Sequence, residues 1–479
     1  MDQPVNVLVL YTGGTLGMLP GPNGYEPASG HLATQLRQMH AFHEAGMPEF
    51  TTPPTRTGRR AHFDLLEYAP LIDSSNMRRA GWVNISKDIA DRYAAYDAFI
   101  VLHGTDTMAY TASALSFMLE GLDKPVILTG SQIPLTHVRN DGVDNLIGAL
   151  TLVTDHQIPE VCLYFRGSLM RGNRAQKTDA TGFNAFHSGN YPALAKVGIG
   201  VDVRWDLVRT PPSRGLSLRP ITCEHVAALR LFPGLTATTL RRILQPPLQG
   251  LVLETYGSGN APNDDPELLA VLKEACDAGI VVVSVTQCHR GRVVDDYATG
   301  RSLHSVGVIP GADMTPEAAL TKLSWLLSLG LTTDEVRTQF GSDLRGEMTA
   351  AQTPPTLGDE QQFLEAVTRA MEQMDHAPAR PVAQRLFPML LSAAAQRDDT
   401  ASLVRLVAAG ASPHSCDTHG STALHIAAKH DHLASVTCLL QLGARPTARN
   451  LEGQTPADVA VSETCRHLLE GATATRGLD

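Results

Sequence analysis

Aromatic residues are sparse, at 5% of a 479-residue chain, and there are only seven cysteines. These lie at 162, 223, 276, 288, 416, 438 and 465, scattered, odd in number and never in CxxC spacing. Neither a disulfide framework nor a thiolate zinc site is suggested, and most of them are expected to be small buried hydrophobes. No apolar run approaches the ~20 residues that a membrane span needs; Ile280 to Val285 is typical of the longest. The N-terminus lacks a charged n-region followed by an h-region, so a cytoplasmic protein without a membrane span is expected. A basic excess is missing too: 39 Lys+Arg face 49 Asp+Glu, for a net charge of -10. This argues against nucleic-acid binding and for a small-molecule or protein partner. HExxH, the Walker loop and the GxSxG elbow are absent. His430-Asp431-His432 suits a polar turn better than a metal site, and no metal or cofactor is expected.

What remains is ordinary globular composition, 43% hydrophobic and 18% charged, long enough for about two to four domains. In the first third, Val5 to Tyr11, Asp97 to Leu102, Pro125 to Leu128 and Val161 to Phe165 are short apolar runs without alternation. Such runs suit strands buried on both faces. Helical segments at Asn84 to Tyr93, Met108 to Leu119 and Asp144 to Val153 separate them, which predicts βαβ units, a parallel sheet and chemistry at the strands' carboxyl ends. Gly182 to Leu218 loses periodicity and reads as an interdomain connection. A second α/β unit follows, with strands at Val226 to Leu231, Gly250 to Glu254 and Ile280 to Val285. Its helices are expected at Pro266 to Ala278 and Pro316 to Leu329. The predicted divisions are 1–205, 206–348, a linker with one helix at 349–383, and a repeat module at 384–472.

That module repeats with a 33-residue period: Gly420-Ser421-Thr422-Ala423-Leu424-His425-Ile426-Ala427 aligns with Gly453-Gln454-Thr455-Pro456-Ala457-Asp458-Val459-Ala460. The period and pattern resemble ankyrin repeats, all-α units that stack through their Leu and Ala residues. Leu391 and Ala394-Ala395 mark a weaker first copy, and Asp458 replaces the usual His in the last; both departures suit capping repeats. About three units fit, near the minimum for stability. A binding site for a protein partner and a stabilising cap are equally consistent with this.

Two buried strands each run into a Gly-Thr loop, Thr12-Gly13-Gly14-Thr15 and His103-Gly104-Thr105-Asp106-Thr107. GGxxG spacing disfavours a dinucleotide loop, and Thr105 or Asp106 also suits a helix N-cap. Between the loops, Asp73-Ser74-Ser75-Asn76 offers hydroxyls for a polar substrate or a capping turn. Arg171-Gly172-Asn173-Arg174-Ala175-Gln176-Lys177 follows the strand ending near Phe165; most lysines in such a place are solvated.

In this order, and together with TGSQIPL at 129–135, YGSGNAP at 256–262, TQC at 286–288 and GADMTPEAALTKL at 311–323, these stretches resemble the cytoplasmic type I L-asparaginases. With its repeats, the chain is also similar to mammalian asparaginases that carry ankyrin repeats and have been associated with lysophospholipase activity. The resemblance implies a two-domain α/β asparaginase fold, a larger N-terminal parallel-sheet domain and a smaller C-terminal one, followed by the ankyrin module. It also implies cofactor-free hydrolysis of L-asparagine to L-aspartate and ammonia. Thr12 matches the nucleophile, which would form an acyl-threonine ester. Thr105, Asp106 and Lys177 match the set that activates the attacking water, and this needs a neutral lysine. Asp73, Ser74, Ser75, Thr105 and Asp106 match substrate contacts. Asn260 matches a position reaching a neighbouring subunit, so a homodimer or dimer of dimers is implied. As helper to Thr12, Tyr297 is preferred over Tyr25. Gln176 and Glu254 replace the Thr and Arg of allosteric bacterial enzymes, although Cys288 is retained; a buried strand-end residue is the plainer reading of that cysteine.

Three alternatives compete. A lysophospholipase-type esterase would use the same site. A catalytically weak ankyrin adaptor would not be expected to keep Thr12, Thr105, Asp106 and Lys177 together. The glutaminase subunit of a tRNA-dependent amidotransferase has an extra domain before its TGG loop, where Thr12 here stands near the start.

Overall fold

The computed structural model describes residues 4–22, 24–210, 215–262, 264–293, 298–349, 380–408, 410–417 and 420–475. The chain divides into two compact units, Met1–Ala350 and Ala351–Asp479. The expected helix at Glu360 to Met374 and Tyr297 lie outside the described residues.

In chain order the first unit begins with β1 (Val5–Tyr11), the hairpin β2 (Met18–Gly21) and β3 (Gly24–Pro27), α1 (His31–Gln38) and β4 (Ala61–Glu67). There follow α2 (Arg79–Asp91), β5 (Ala98–Leu102), α3 (Met108–Met118), β6 (Leu119–Glu120), β7 (Val126–Thr129) and α4 (Gly142–Asp155). Then come β8 (Val161–Phe165), β9 (Ser168–Arg171), β10 (Gln176–Lys177), β11 (Phe186–His187), β12 (Ala195–Val197), β13 (Val201–Val203) and β14 (Ser217–Leu218). An eight-stranded sheet runs β13-β12-β9-β8-β7-β5-β1-β4. The five strands from β8 to the β4 edge are parallel, and every residue of β5, β7 and β8 is buried, as a sheet covered on both faces requires. The two faces carry separate cores, one built around Phe99, Phe117 and Phe165 and the other around Phe42, Phe63 and Tyr164.

The sheet is mixed where a parallel one was expected. Gly182 to Leu218 is more than a connection: β12 joins β9 antiparallel and β13 extends the edge. Three-residue strands are too short to show a period, which is why they escape a pattern search.

The smaller sheet, β15 (Val226–Arg230), β16 (Gly250–Thr255), β17 (Val281–Thr286) and β18 (Ile309–Pro310), is wholly parallel. Helices α5 (Ala237–Ile243), α6 (Pro266–Asp277), α7 (Ala298–Ser305), α8 (Pro316–Leu327) and α9 (Thr333–Phe340) accompany it. Pro at the first turn of α6 and α8, behind Asp265 and Thr315 caps, starts those helices where an unpaired N–H costs nothing. Fully buried Lys322 on α8 meets Glu347 at 2.5 Å and Phe340 O at 2.9 Å, a pairing that burial demands.

The second unit is helical: Arg380–Gln396, Thr400–Ala408, Ala423–Lys429, Leu433–Gln441 and Glu463–Thr475. Leu391, Leu403, Leu424, Leu439 and Leu469 form its core. His425 Nδ1 accepts from Thr422 N and Oγ1 while its Nε2 reaches Gln454 O at 3.0 Å, so one neutral ring ties two repeats together. In the last repeat Asp458 takes over, accepting from Thr455 N at 2.7 Å and Oγ1 at 2.8 Å.

The cysteines depart from expectation. Cys162, Cys276 and Cys465 are buried, Cys223 and Cys438 half-buried, and Cys288 and Cys416 exposed.

Candidate active site

Adjacent parallel strands end level with one another, Tyr11 of β1 beside Leu102 of β5, so the loops that follow emerge side by side. Thr12 N donates to Leu102 O at 3.0 Å and its Oγ1 to the same carbonyl at 3.1 Å. The hydroxyl is therefore buried and rotationally fixed, with its proton on a main-chain acceptor.

Backbone contact holds the loops together, and glycine makes that contact feasible. At Gly13, φ is +123° and a Cβ would strike Ile72 O; at Gly14, φ is +90° and a Cβ would come within 2.5 Å of Gly104 Cα. A Cβ on Gly104 would in turn strike the Ser74 side chain. Ile72 N donates to Thr12 O at 2.7 Å and Thr107 Oγ1 to Ser74 O at 2.8 Å, which completes a three-loop cluster.

Within it, Asp73 Oδ1 accepts from Ser75 N at 2.8 Å and Ser75 Oγ at 2.7 Å, so the capping-turn reading of this segment also holds. Lys177 arrives on β10, which pairs with β11 through Lys177 and Phe186; Phe186 packs on Phe165 with ring centroids 4.9 Å apart. Lys177 Nζ donates to Thr105 Oγ1 at 2.9 Å and Asp106 Oδ1 at 2.7 Å. Thr105 Oγ1 in turn donates a hydrogen bond to Gln132 Oε1 at 3.0 Å. The lysine side chain is 19% exposed and that of Asp106 62% exposed, so this pair opens to solvent on the carboxylate side. Thr12, Asp73, Ser74, Ser75, Thr105, Asp106 and Lys177 thus share one end of the sheet.

Tyr25 is different. It stands on the β2–β3 hairpin, exposed, with its hydroxyl 2.6 Å from His137 Nε2. Asn260 lies in the turn after β16, closing a backbone bridge with Tyr256. Gln176 donates through Nε2 to Glu317 Oε2 at 3.2 Å and accepts at Oε1 from His289 Nδ1 at 3.1 Å. Burial raises the Glu317 carboxyl above its ordinary value. Glu254 lies 3.9 Å from Arg230, and Cys288, expected to be buried, is exposed.

Two supporting residues were not singled out from sequence. Gln132 stands three residues past the end of β7, within TGSQIPL; its backbone N–H points at the buried Asp141 carboxylate, 3.0 Å from each oxygen. His103 is buried beneath the second Gly-Thr loop: Nδ1–H donates to Gly104 O at 2.7 Å, so Nε2 accepts from Thr111 Oγ1 at 2.9 Å. Burial lowers its pKa from 6.5 to about 4, and the ring is neutral. The signal for both was position: each stands where a buried strand ends in the cluster. Among the described residues no group of three or more His, Cys, Asp or Glu is arranged to hold a metal, and no helix is long and apolar enough to cross a membrane.

Comparison with known proteins bears on the domains as wholes. Residues 6–209 match the family model "Asparaginase, N-terminal", residues 225–340 "Glutaminase/Asparaginase C-terminal domain" and residues 391–476 "Ankyrin repeats (3 copies)". L-asparaginase 1 of Escherichia coli (strain K12) is 48% identical over 349 residues, covering 72% of this chain and 99% of that protein. The L-asparaginase of Dirofilaria immitis is 37% identical and covers 88% of this chain and 74% of its own. The 60 kDa lysophospholipase of Mus musculus is 42% identical and covers 89% and 77%. Among solved structures, L-asparaginase I from Vibrio cholerae superposes with a TM-score of 0.65 at 45% identity, over 72% of this chain and all of that one. Both asparaginase family models match the two-domain α/β body, and an L-asparaginase is 48% identical over nearly its whole length, so the chain belongs to the asparaginase family.

Proposed function

We propose that this protein hydrolyses L-asparagine to L-aspartate and ammonia through an acyl-threonine intermediate. The observation that carries the reading is the double engagement of Lys177 Nζ by Thr105 Oγ1 and Asp106 Oδ1 beside the Thr12 loop. Support comes from the L-asparaginases of Escherichia coli and Dirofilaria immitis, at 48% and 37% identity.

Thr12 Oγ1 attacks the side-chain amide carbon; the new C–O bond forms, the C–N bond breaks, and ammonia leaves with the threonine proton. The hydroxyl must release Leu102 O and needs an acceptor. Tyr297 is assigned that role on the resemblance to type I enzymes, in which a second-domain tyrosine reaches the nucleophile; the Tyr25 hydroxyl lies 2.6 Å from His137 Nε2. The second half requires Lys177 in its neutral form and the Thr105 proton turned from Gln132 to Nζ; the amine then takes a proton through Thr105 from a water. The water attacks the ester, and the C–O bond to Thr12 breaks with return of the proton to Oγ1. Asp106 orients Lys177 and, with Asp73, Ser74 and Ser75, holds the substrate's charged ends. No cofactor takes part. We assign the site to a homodimer or dimer of dimers, with Asn260 facing a neighbouring subunit, and the protein to the cytoplasm.

The test is intact-mass analysis of Lys177→Met rapidly quenched with L-asparagine. An aspartyl adduct on the peptide containing Thr12 is expected; its absence together with normal ammonia release would overturn the reading. A second reading, ester hydrolysis at the same site, draws on the 42%-identical 60 kDa lysophospholipase. Since the Dirofilaria immitis L-asparaginase also spans most of the chain, the shared repeats do not favour it. Release of fatty acid from lysophosphatidylcholine, lost in Thr12→Ala, would establish it.

A further inference from the structure

The sheet end opposite the Thr12 loop begins at Val161, the first residue of β8. Antiparallel β9 returns Arg171 to that same edge, opposite Cys162. There, the turn after β6, the start of β8, the stretch around Arg209, strand β14 and Arg345 enclose a cavity of about 410 Å³. That volume lies in the range of small-molecule sites.

Its charge is unbalanced. Arg171, Arg209, Arg219 and Arg345 line it against two carboxylates, Glu120 and Glu160. Glu160 is buried and engaged, accepting from Arg171 Nε at 2.5 Å, Arg171 Nη2 at 3.0 Å and the backbone N–H of Arg209 at 2.8 Å. Glu120 accepts from Arg345 Nη2 at 3.2 Å and lies 3.7 Å from Arg219. Among the described residues the Arg209 guanidinium has no carboxylate within 4.0 Å; its Nη2 donates to Leu344 O at 3.0 Å. Burial holds Arg209 below its ordinary value, against the longer-range pull of Asp343 and Glu160. Arg345 Nε is buried without a hydrogen-bond partner. The half-buried Arg209 guanidinium is thus without a close carboxylate, and Arg345, although bonded to Glu120, keeps one buried donor unused; both deficits favour an added anion. A planar guanidinium suits a carboxylate or phosphate oxygen pair. Leu119, Leu122, Pro159 and Val161 give the wall an apolar stretch, beside the hydroxyls of Ser116, Thr210 and Ser217.

We propose that this cavity binds an organic oxyanion, a carboxylate or phosphate head carried on an apolar body, with the head at Arg209 and Arg345 and the body against Leu119, Leu122 and Val161. It is a second site, at the far end of the sheet from the catalytic cluster, and does not depend on the asparaginase mechanism.

Isothermal titration calorimetry of the full chain with octanoate, octyl phosphate, octanol and inorganic phosphate tests it. Saturable one-site binding of octanoate or octyl phosphate is expected, the tighter of the two identifying the head group. Octanol and inorganic phosphate should bind at least about tenfold more weakly, since each lacks half of the contacts. Arg209→Gln should weaken binding by about tenfold, and Thr12→Ala should leave it unchanged. If Arg209→Gln fails to fold by circular dichroism, Arg219→Glu at the exposed rim carries the same test, because its side chain is 58% exposed. Absence of binding by both amphiphiles, equal binding of octanol or of inorganic phosphate, or undiminished binding by these arginine variants would overturn the proposal. Heat of binding is read without turnover, so failure of the asparaginase reading would leave this result interpretable.

Discussion

Gly14 and Gly104 lie back to back: a methyl group built on Gly14 would sit 2.5 Å from the Gly104 Cα, closer than real Cβ contacts come. The nucleophile loop and the loop carrying Thr105 and Asp106 are registered against each other by bare backbone. Gly14→Ala therefore has to part the two loops and also hold alanine at φ +90°. Strain of that kind is worth about 1–3 kcal/mol, and the clash adds to it. Urea unfolding should show a lower midpoint, and ammonia release should fall by a larger factor than stability alone explains.

His103 sets a pH response. Its folded pKa of about 4 lies below the unfolded 6.5, so between those values the unfolded chain binds the proton that the folded chain refuses. Its contribution is constant above pH 6.5 and is lost as pH falls from about 6.5 toward 4, with a total on the order of 3 kcal/mol. His103→Gln, which keeps a donor, should flatten that part of the stability curve. Thermal melts at pH 7, 6, 5 and 4 provide the measurement, and parallel curves for both proteins would exclude His103 as the cause.

Gln132 accepts the Thr105 proton in the resting arrangement. Gln132→Leu removes that acceptor and leaves Thr105 to bond Lys177 alone. A fall in kcat of about tenfold or more, with a smaller change in KM, is expected if Thr105 orientation limits attack by water. A change confined to KM would place Gln132 in substrate binding instead.

In the repeat unit, His425→Ala should remove both the cap on Thr422 and the bridge to Gln454 O. Losing a cap costs about 1 kcal/mol, and losing one hydrogen bond at the half-buried Gln454 carbonyl, which Asn450 N still reaches at 3.0 Å, about 0.5–1.5 kcal/mol. The melt of that unit should shift down while ammonia release from the first unit stays unchanged.

Much of this was legible in the sequence for physical reasons. Strands β5 and β8 are continuous apolar runs because both faces are covered, and Thr12 and Thr105 announce themselves as hydroxyls in glycine loops at strand ends. The His425-to-Asp458 change foretold a terminal repeat: Asp458 caps Thr455 as a pure acceptor where His425 also donates to the next repeat. Less was legible where structure is short or tertiary. Strands β12 and β13 have three residues each, too few for a period. The burial of Cys288 was misjudged because a cysteine directly after an apolar strand looks like its continuation, whereas β17 ends at Thr286 and the chain turns out to solvent. The partnership of Gln132 with Thr105 spans 27 residues and exists only in the folded sheet.

The most direct measurement is ammonia release from L-asparagine by the full chain beside Thr12→Ala, with both folded by circular dichroism. Nucleophilic catalysis by Thr12 predicts steady release by the native chain and a loss on the order of 10³-fold or more in the variant. Release by Thr12→Ala at the native rate, or none from the native chain, would contradict it.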